Sequence, residues 1–175
     1  AARALDAAAH FLRGDERAID AGCGSGRLTG ELLERLPAGR LVAVDRSWNM
    51  LQTARANLRP TFGPRVAFVQ VPLPALPFRE WADLLFSTAT FHWVSDHAGL
   101  FANIFTALRP GGRLHAQCGG GPNLAEAHAL AEAVMLEPPF KPHFEGWAGV
   151  WEFASAEATR DRLAAAGFVD VVTGL

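Results

Sequence analysis

Lysine is almost missing from this chain of 175 residues and tyrosine is wholly so: Lys141 stands alone, and there is no tyrosine. The 16 basic residues are therefore nearly all arginines, scattered without a basic block, and the formal net charge is −2. That excludes the contiguous positive surface that a nucleic-acid backbone demands. The two cysteines, Cys23 and Cys118, are too few for a disulfide framework, and neither has a second cysteine or a histidine at zinc-finger spacing. No metal site is expected, and a reducing, cytoplasmic setting is. No apolar run reaches the ~18 residues of a membrane span. The opening stretch, broken by Arg3, Asp6, His10 and Arg13, is unlike a secretory signal. No membrane partner is expected.

What is there is a chain with half of its residues hydrophobic, enough for one compact domain over 1–175 that buries roughly two-thirds of its unfolded surface. Apolar, β-branched runs near 18–20, 41–44, 66–69, 84–87 and 113–116 alternate with helical patterns near 28–36, 47–58 and 100–108. This alternation predicts an α/β fold, a doubly wound and mostly parallel sheet with helices on both faces. Pro110-Gly111-Gly112 is expected to stop the helix before it. A further helix is expected over 124–135. The stretch 137–151, with three prolines, Phe140, Phe144, Trp147 and Trp151 but no period, reads as a loop or lid. Ser155 opens a helix that Gly167 closes, and 168–173 reads as a last strand.

The chemistry-bearing stretch is DAGCGSGRL, residues 20–28, with three glycines in five residues between a strand and a helix. Such glycines let backbone N–H groups approach a ligand that a Cβ would push away. The dinucleotide pattern G-x-G-x-x-G fails here, because the third glycine position falls on Arg27 in one register and Thr29 in the other. The stretch instead reads D-x-G-x-G-x-G. Asp20 would repel a pyrophosphate and hold a ligand with an ammonium or sulfonium charge. Asp45, at the end of the next strand, can accept both hydroxyls of a ribose. A nucleoside joined to a positively charged amino-acid end describes S-adenosylmethionine.

AIDAGCGSGRLTGELL, VAVDRSWNMLQTAR, ADLLFSTATFHWV and LRPGGRLHAQ resemble, in order and spacing, the successive motifs of class I S-adenosylmethionine-dependent methyltransferases. FHWVSDH looks nearest to the trans-aconitate methyltransferase branch and is also similar to malonyl-carrier-protein methyltransferases. The resemblance implies a Rossmann-like fold, S-adenosylmethionine as methyl donor with S-adenosylhomocysteine as product, and a small-molecule acceptor such as a carboxylate. It places Asp20, Gly22, Cys23, Gly24 and Gly26 around the methionine portion, Asp45 on the ribose, and Arg46, Ser47 and Met50 near the adenosine. Ser87 joins the cofactor-binding set, and His92, just past the fourth strand, is the candidate substrate contact. Trp93 would wall the methyl pocket or pack beneath the cofactor. Where many relatives carry an adenine-binding Asp, this chain has Pro72, which leaves the N–H of Leu73 as donor. Relatives also carry an antiparallel seventh strand; the chain ends where a sixth would, so a C-terminal truncation, and one at the N-terminus, are expected. A bare sheet edge would then invite pairing with a second chain.

Each residue also has a plain structural reading. Asp20 and Asp45 could be turn or cap residues, Cys23 a small filler and His92 a strand-end hydrogen bond. His97, His115 and His128 read as surface or sheet-end residues, and Cys118 as a candidate pocket thiol. Two other functions stay open: a non-catalytic S-adenosylmethionine-binding or partner subunit, and, disfavoured by glycine spacing, a nicotinamide-dependent oxidoreductase.

Overall fold

The computed structural model describes residues 2–147 and 149–175. Five strands form one parallel sheet in the order β3-β2-β1-β4-β5: β1 Arg17–Ala21, β2 Arg40–Asp45, β3 Val66–Gln70, β4 Ala82–Thr88 and β5 Leu108–Gln117. Because side chains alternate along a strand, each central strand feeds two cores. Ala18, Leu41, Ala43, Leu84 and Phe86 pack with helices α1 (Ala2–Ala9), α2 (Arg27–Glu34) and α3 (Trp48–Phe62) on one face. Ile19, Ala21, Val42, Val44 and Leu85 pack on the other with α4 (His97–Ala107) and with Leu163 of α7 (Ala156–Ala165). The expected doubly wound sheet with helices on both faces is therefore present.

Capping side chains start the helices where local chemistry supplies an acceptor. Ser47 accepts from the N–H of Met50 at the head of α3, and Ser155 from Ala158 at the head of α7. α4 begins earlier than its apolar pattern suggests, since Asp96 accepts from the N–H of Gly99 at 2.8 Å and draws His97 into the first turn. α3 runs through Pro60 and closes at Gly63, φ 53°.

One expectation is extended and another corrected beyond α4. The helix ends ahead of Pro110-Gly111-Gly112, as expected, but the triplet is itself part of a strand. α4 ends at Ala107, and the triplet lies inside β5, where the register steps from Ala82↔Leu108 to Leu84↔Arg113. The extra residues form a bulge on an edge strand, where a proline costs no ladder bond. Residues 168–173 do not form a strand. A groove of about 540 Å³, lined by β5 and by this segment, holds the two apart. The segment instead docks through Phe168, which meets Phe105 edge-on at 5.2 Å.

The expected helix over 124–135 is α5 (Ala125–Met135), none of whose residues is buried. Among the described residues of 137–151, which exclude Ala148, a single short helix forms, α6 (Lys141–Phe144). No described helix is long and apolar enough to cross a membrane.

Candidate active site

β1 and β4 are neighbours, while the chain leaves β1 toward β2 and β3 on one side and reaches β5 on the other. Their carboxyl ends therefore flank the switch point where open α/β sheets form a crevice. The glycine loop follows β1, and the turn carrying His92 follows β4.

The three loop glycines answer three different demands. Gly22, φ 84°, lies against Thr90: a Cβ there would stand 2.2 Å from the Thr90 Oγ1. Gly26, φ 82°, caps α2 and lets α3 approach, since a Cβ would meet Leu58 at 2.7 Å and Ala54 at 3.1 Å. Gly24, φ 54°, would place its Cβ in open space, with nothing within 4 Å. The loop is pinned from below. Gly22 and Cys23 both donate their N–H to the Val44 carbonyl, at 2.8 and 2.9 Å, and Gly26 donates to Cys23 at 3.0 Å.

Asp45 joins the loop to β2. Its Oδ2 accepts from the Gly24 N–H at 2.9 Å and its Oδ1 from the Ser47 N–H at 2.8 Å. A carboxylate has about four acceptor positions, so this arrangement leaves capacity for a diol. Arg46 and Met50 are exposed at the start of α3. Leu73 buries its side chain in the core, and its N–H opens a 3-10 turn where no helical carbonyl precedes it.

Asp20 corrects the idea of an acid facing its ligand. It is 3% exposed, lies beneath the loop, and accepts from the Thr29 hydroxyl at 2.6 Å. Burial, partly offset by that bond and reinforced by the charge of Asp45, pushes its carboxyl up to about 6. It remains mostly ionised at neutral pH and acts on the loop through its field. Ser87, also buried, donates to the Ala21 carbonyl at 2.7 Å and so ties β4 to β1 rather than facing the crevice. Burial holds the Cys23 thiol neutral, far above its ordinary range, which fits the filler role.

His92 sits in a 3-10 turn, Phe91–Trp93. Its ring packs on Trp93 and Phe153, at 5.4 and 5.5 Å, and Nδ1 accepts from the Gly119 N–H at 3.1 Å. Burial lowers its basicity. His97 is not a surface residue. It is 4% exposed, bonded to the Phe91 carbonyl at 3.0 Å and to Arg162 at 2.8 Å. His128 lies against Trp151 and Phe153 at 4.8 and 5.4 Å. Sequence reasoning missed Thr29, Thr90, Gly119, Glu152 and Phe153. Thr90 alone left a trace, as the residue that makes the first loop glycine obligatory.

Residues 18–112 match the methyltransferase domain family. The chain belongs to that family. The trans-aconitate 2-methyltransferase of Rhizobium leguminosarum bv. trifolii is 38% identical over 130 residues, 74% of this chain and 48% of that protein. That of Methylobacterium nodulans is 36% identical over 154 residues, 87% of this chain and 54% of that protein. This methyltransferase domain thus lies near the trans-aconitate branch and spans about half the length of the curated relatives it matches. Among solved structures, phosphoethanolamine N-methyltransferase 2 of Haemonchus contortus with S-adenosylmethionine shares the fold at TM-score 0.72, 22% identity, covering 97% of this chain and 37% of that one. An S-adenosylmethionine-dependent methyltransferase from Mesorhizobium loti does so at TM-score 0.70, 23% identity, covering 95% and 80%.

Proposed function

We propose that the domain binds S-adenosylmethionine over the glycine loop and supports transfer of its methyl group to a small-molecule carboxylate. The observation that carries this reading is the open space above Gly24, bounded by Asp45 and backed by the buried charge of Asp20. The relatives' named acceptor, trans-aconitate, supports a carboxylate.

Bound there, the cofactor supplies a methyl group already activated by positive sulfur. Gly24 keeps the loop bare for its amino-acid portion, Gly22 and Gly26 let the loop pack against Thr90 and α3, and Asp45 accepts from its ribose. Arg46, Met50 and the Leu73 N–H face the adenosine, with Pro72 giving no side-chain acceptor. His92 contacts the acceptor. A carboxylate is ionised at neutral pH and needs no general base, so the chain's task is alignment and exclusion of water. The free edge of β5 is where a second chain would pair, and two unpaired cysteines favour a reducing cytoplasm.

Calorimetric titration with S-adenosylhomocysteine and NADH tests the cofactor. S-adenosylhomocysteine is expected to bind; binding of NADH alone would replace this reading with an oxidoreductase. Asp45→Ala should weaken S-adenosylhomocysteine by ~1.5–3 kcal/mol through lost charge-assisted hydrogen bonds, and unchanged affinity would refute the ribose role. Labelled S-adenosylmethionine with trans-aconitate and a panel of small acids tests transfer. Binding without any labelled product would favour a non-catalytic subunit.

A further inference from the structure

We propose that His92 is held in its Nε2–H form and donates a hydrogen bond to the anionic methyl acceptor, with His97 and Arg162 as positioning residues for the turn that carries it. The inference rests on the methyltransferase reading and deepens it, because it assigns the acceptor's charge and the direction of the hydrogen bond.

The tautomer follows from the partners. A backbone N–H only donates, so the Gly119 N–H, 3.1 Å from Nδ1, requires a lone pair there. The proton of the neutral ring then sits on Nε2. Among the described residues Nε2 has no hydrogen-bond partner, nor is it sealed in the core. Burial of the ring also favours the neutral form. His92 in this state has no site with which to take a proton from an acceptor. It has one N–H to offer an oxygen that is already negative.

The same logic fixes the turn from behind. The Phe91 carbonyl only accepts, so Nε2 of the buried His97 carries a proton and donates at 3.0 Å. Nδ1 of His97 then receives the Arg162 guanidinium at 2.8 Å. Bonded at both ring nitrogens, His97 is fixed in orientation between Phe91 and Arg162. Arg162 also binds the Glu152 carboxylate at 2.9 Å, and the Glu152 N–H donates to the His92 carbonyl at 2.9 Å. Both carbonyls flanking the His92 side chain are thereby held by groups that converge on Arg162.

In the transfer, a carboxylate oxygen forms the new bond to the methyl carbon while the sulfur–methyl bond breaks and its electron pair stays on sulfur. The sulfonium becomes a neutral thioether and the carboxylate a neutral ester, so no proton moves. A donor that steadies one carboxylate oxygen while the other attacks matches this balance. A base would have nothing to remove.

Nitrogen-15 histidine spectra of the whole chain at neutral pH, with His92→Gln to assign the signals, are expected to show a bare Nδ1 and a protonated Nε2 at residue 92. In His97→Phe and Arg162→Met the His92 signals should move toward a mixture of tautomers. KM for trans-aconitate, or for whichever acid of the panel accepts the label, should rise on the order of tenfold, with S-adenosylhomocysteine affinity kept within about twofold. A proton on Nδ1 in the unsubstituted protein overturns the inference whether or not the variants fold. So do folded variants with unchanged tautomer and KM. Failure of S-adenosylhomocysteine to bind at all would overturn the methyltransferase reading and the acceptor role with it, whereas binding with a proton on Nδ1 overturns this inference alone.

Discussion

Gly22 and Gly24 both stand at positive φ, yet they meet opposite surroundings. Alanine at either pays about 1–2 kcal/mol for the left-handed backbone. At residue 22 the new methyl also collides with Thr90, so Gly22→Ala should lose at least ~2 kcal/mol in denaturant unfolding. Gly24→Ala should lose only the backbone strain of about 1–2 kcal/mol but bind S-adenosylhomocysteine several-fold more weakly, because its methyl fills the space a ligand needs. Equal behaviour of the two would remove the case for a cradle at Gly24. Asp20 gives the second residue-scale expectation. Its carboxyl rises from an ordinary 3.8 to about 6, so between those values the native state binds more protons than the unfolded one. Stability from this group is full at low pH and falls as pH rises through 6, by about 3 kcal/mol in all. Asp20→Asn should therefore be the more stable protein above pH 6, with the difference vanishing toward pH 4 in paired thermal melts. It should also lose more affinity for S-adenosylmethionine, which is charged at sulfur, than for S-adenosylhomocysteine, which is not.

Among the elements, α5 depends on one aromatic ledge. None of its residues is buried, and His128 attaches it by lying 19° from parallel over Trp151. The His128 Nε2 is buried without a hydrogen-bond partner among the described residues. Phenylalanine would keep the stack and remove the orphaned nitrogen. His128→Phe should then raise stability by about 1 kcal/mol, or roughly 2–4 °C in a chain of this size, whereas His128→Ala should lower it. A destabilised phenylalanine variant would mean that the nitrogen is satisfied. Such contacts explain which elements could be read from the sequence. The caps at Ser47 and Ser155, the strand alternation and the glycine loop are local, so their chemistry is written within a few residues. Asp20 and Asp45 were legible as acids at strand ends, but the burial that hides Asp20 comes from α2 folding over it. The bulge at Pro110-Gly111-Gly112 and the unpaired 168–173 segment were not legible. Proline and glycine suit a helix stop and an edge bulge alike, and a strand-like pattern pairs only if a neighbour lies within reach. The partners of His92 come from Gly119 and Glu152, far along the chain, where no periodicity marks them.

At the scale of the molecule, the buried hydrophobic residues among those described run from Ala4 to Leu108, and beyond Leu108 only Leu163 joins them. On the proposed cofactor side, β1, β2, β4 and the Leu73 side chain belong to this core, while Arg46 and Met50 stand exposed beside it. The surface that would cover an acceptor is built on α5, α6 and the stretch around Trp151, with Trp93, Phe140, Trp147 and Trp151 all more than two-fifths exposed. A rigid cradle beside a loosely seated cover is what a site needs if it is to admit one ligand before enclosing another. Hydrogen exchange followed by mass spectrometry should resolve the two. Peptides spanning 18–21, 41–44 and 84–87 should open only with global unfolding, while those spanning 125–144 should exchange through local opening. S-adenosylhomocysteine should slow exchange at 22–26 and at 71–75 and leave 125–144 fast, because ribose and amino-acid contacts fall on the rigid half alone. Protection spreading into 125–144 on cofactor addition would place the cover on the cofactor instead of the acceptor, and the order of binding would have to be reversed.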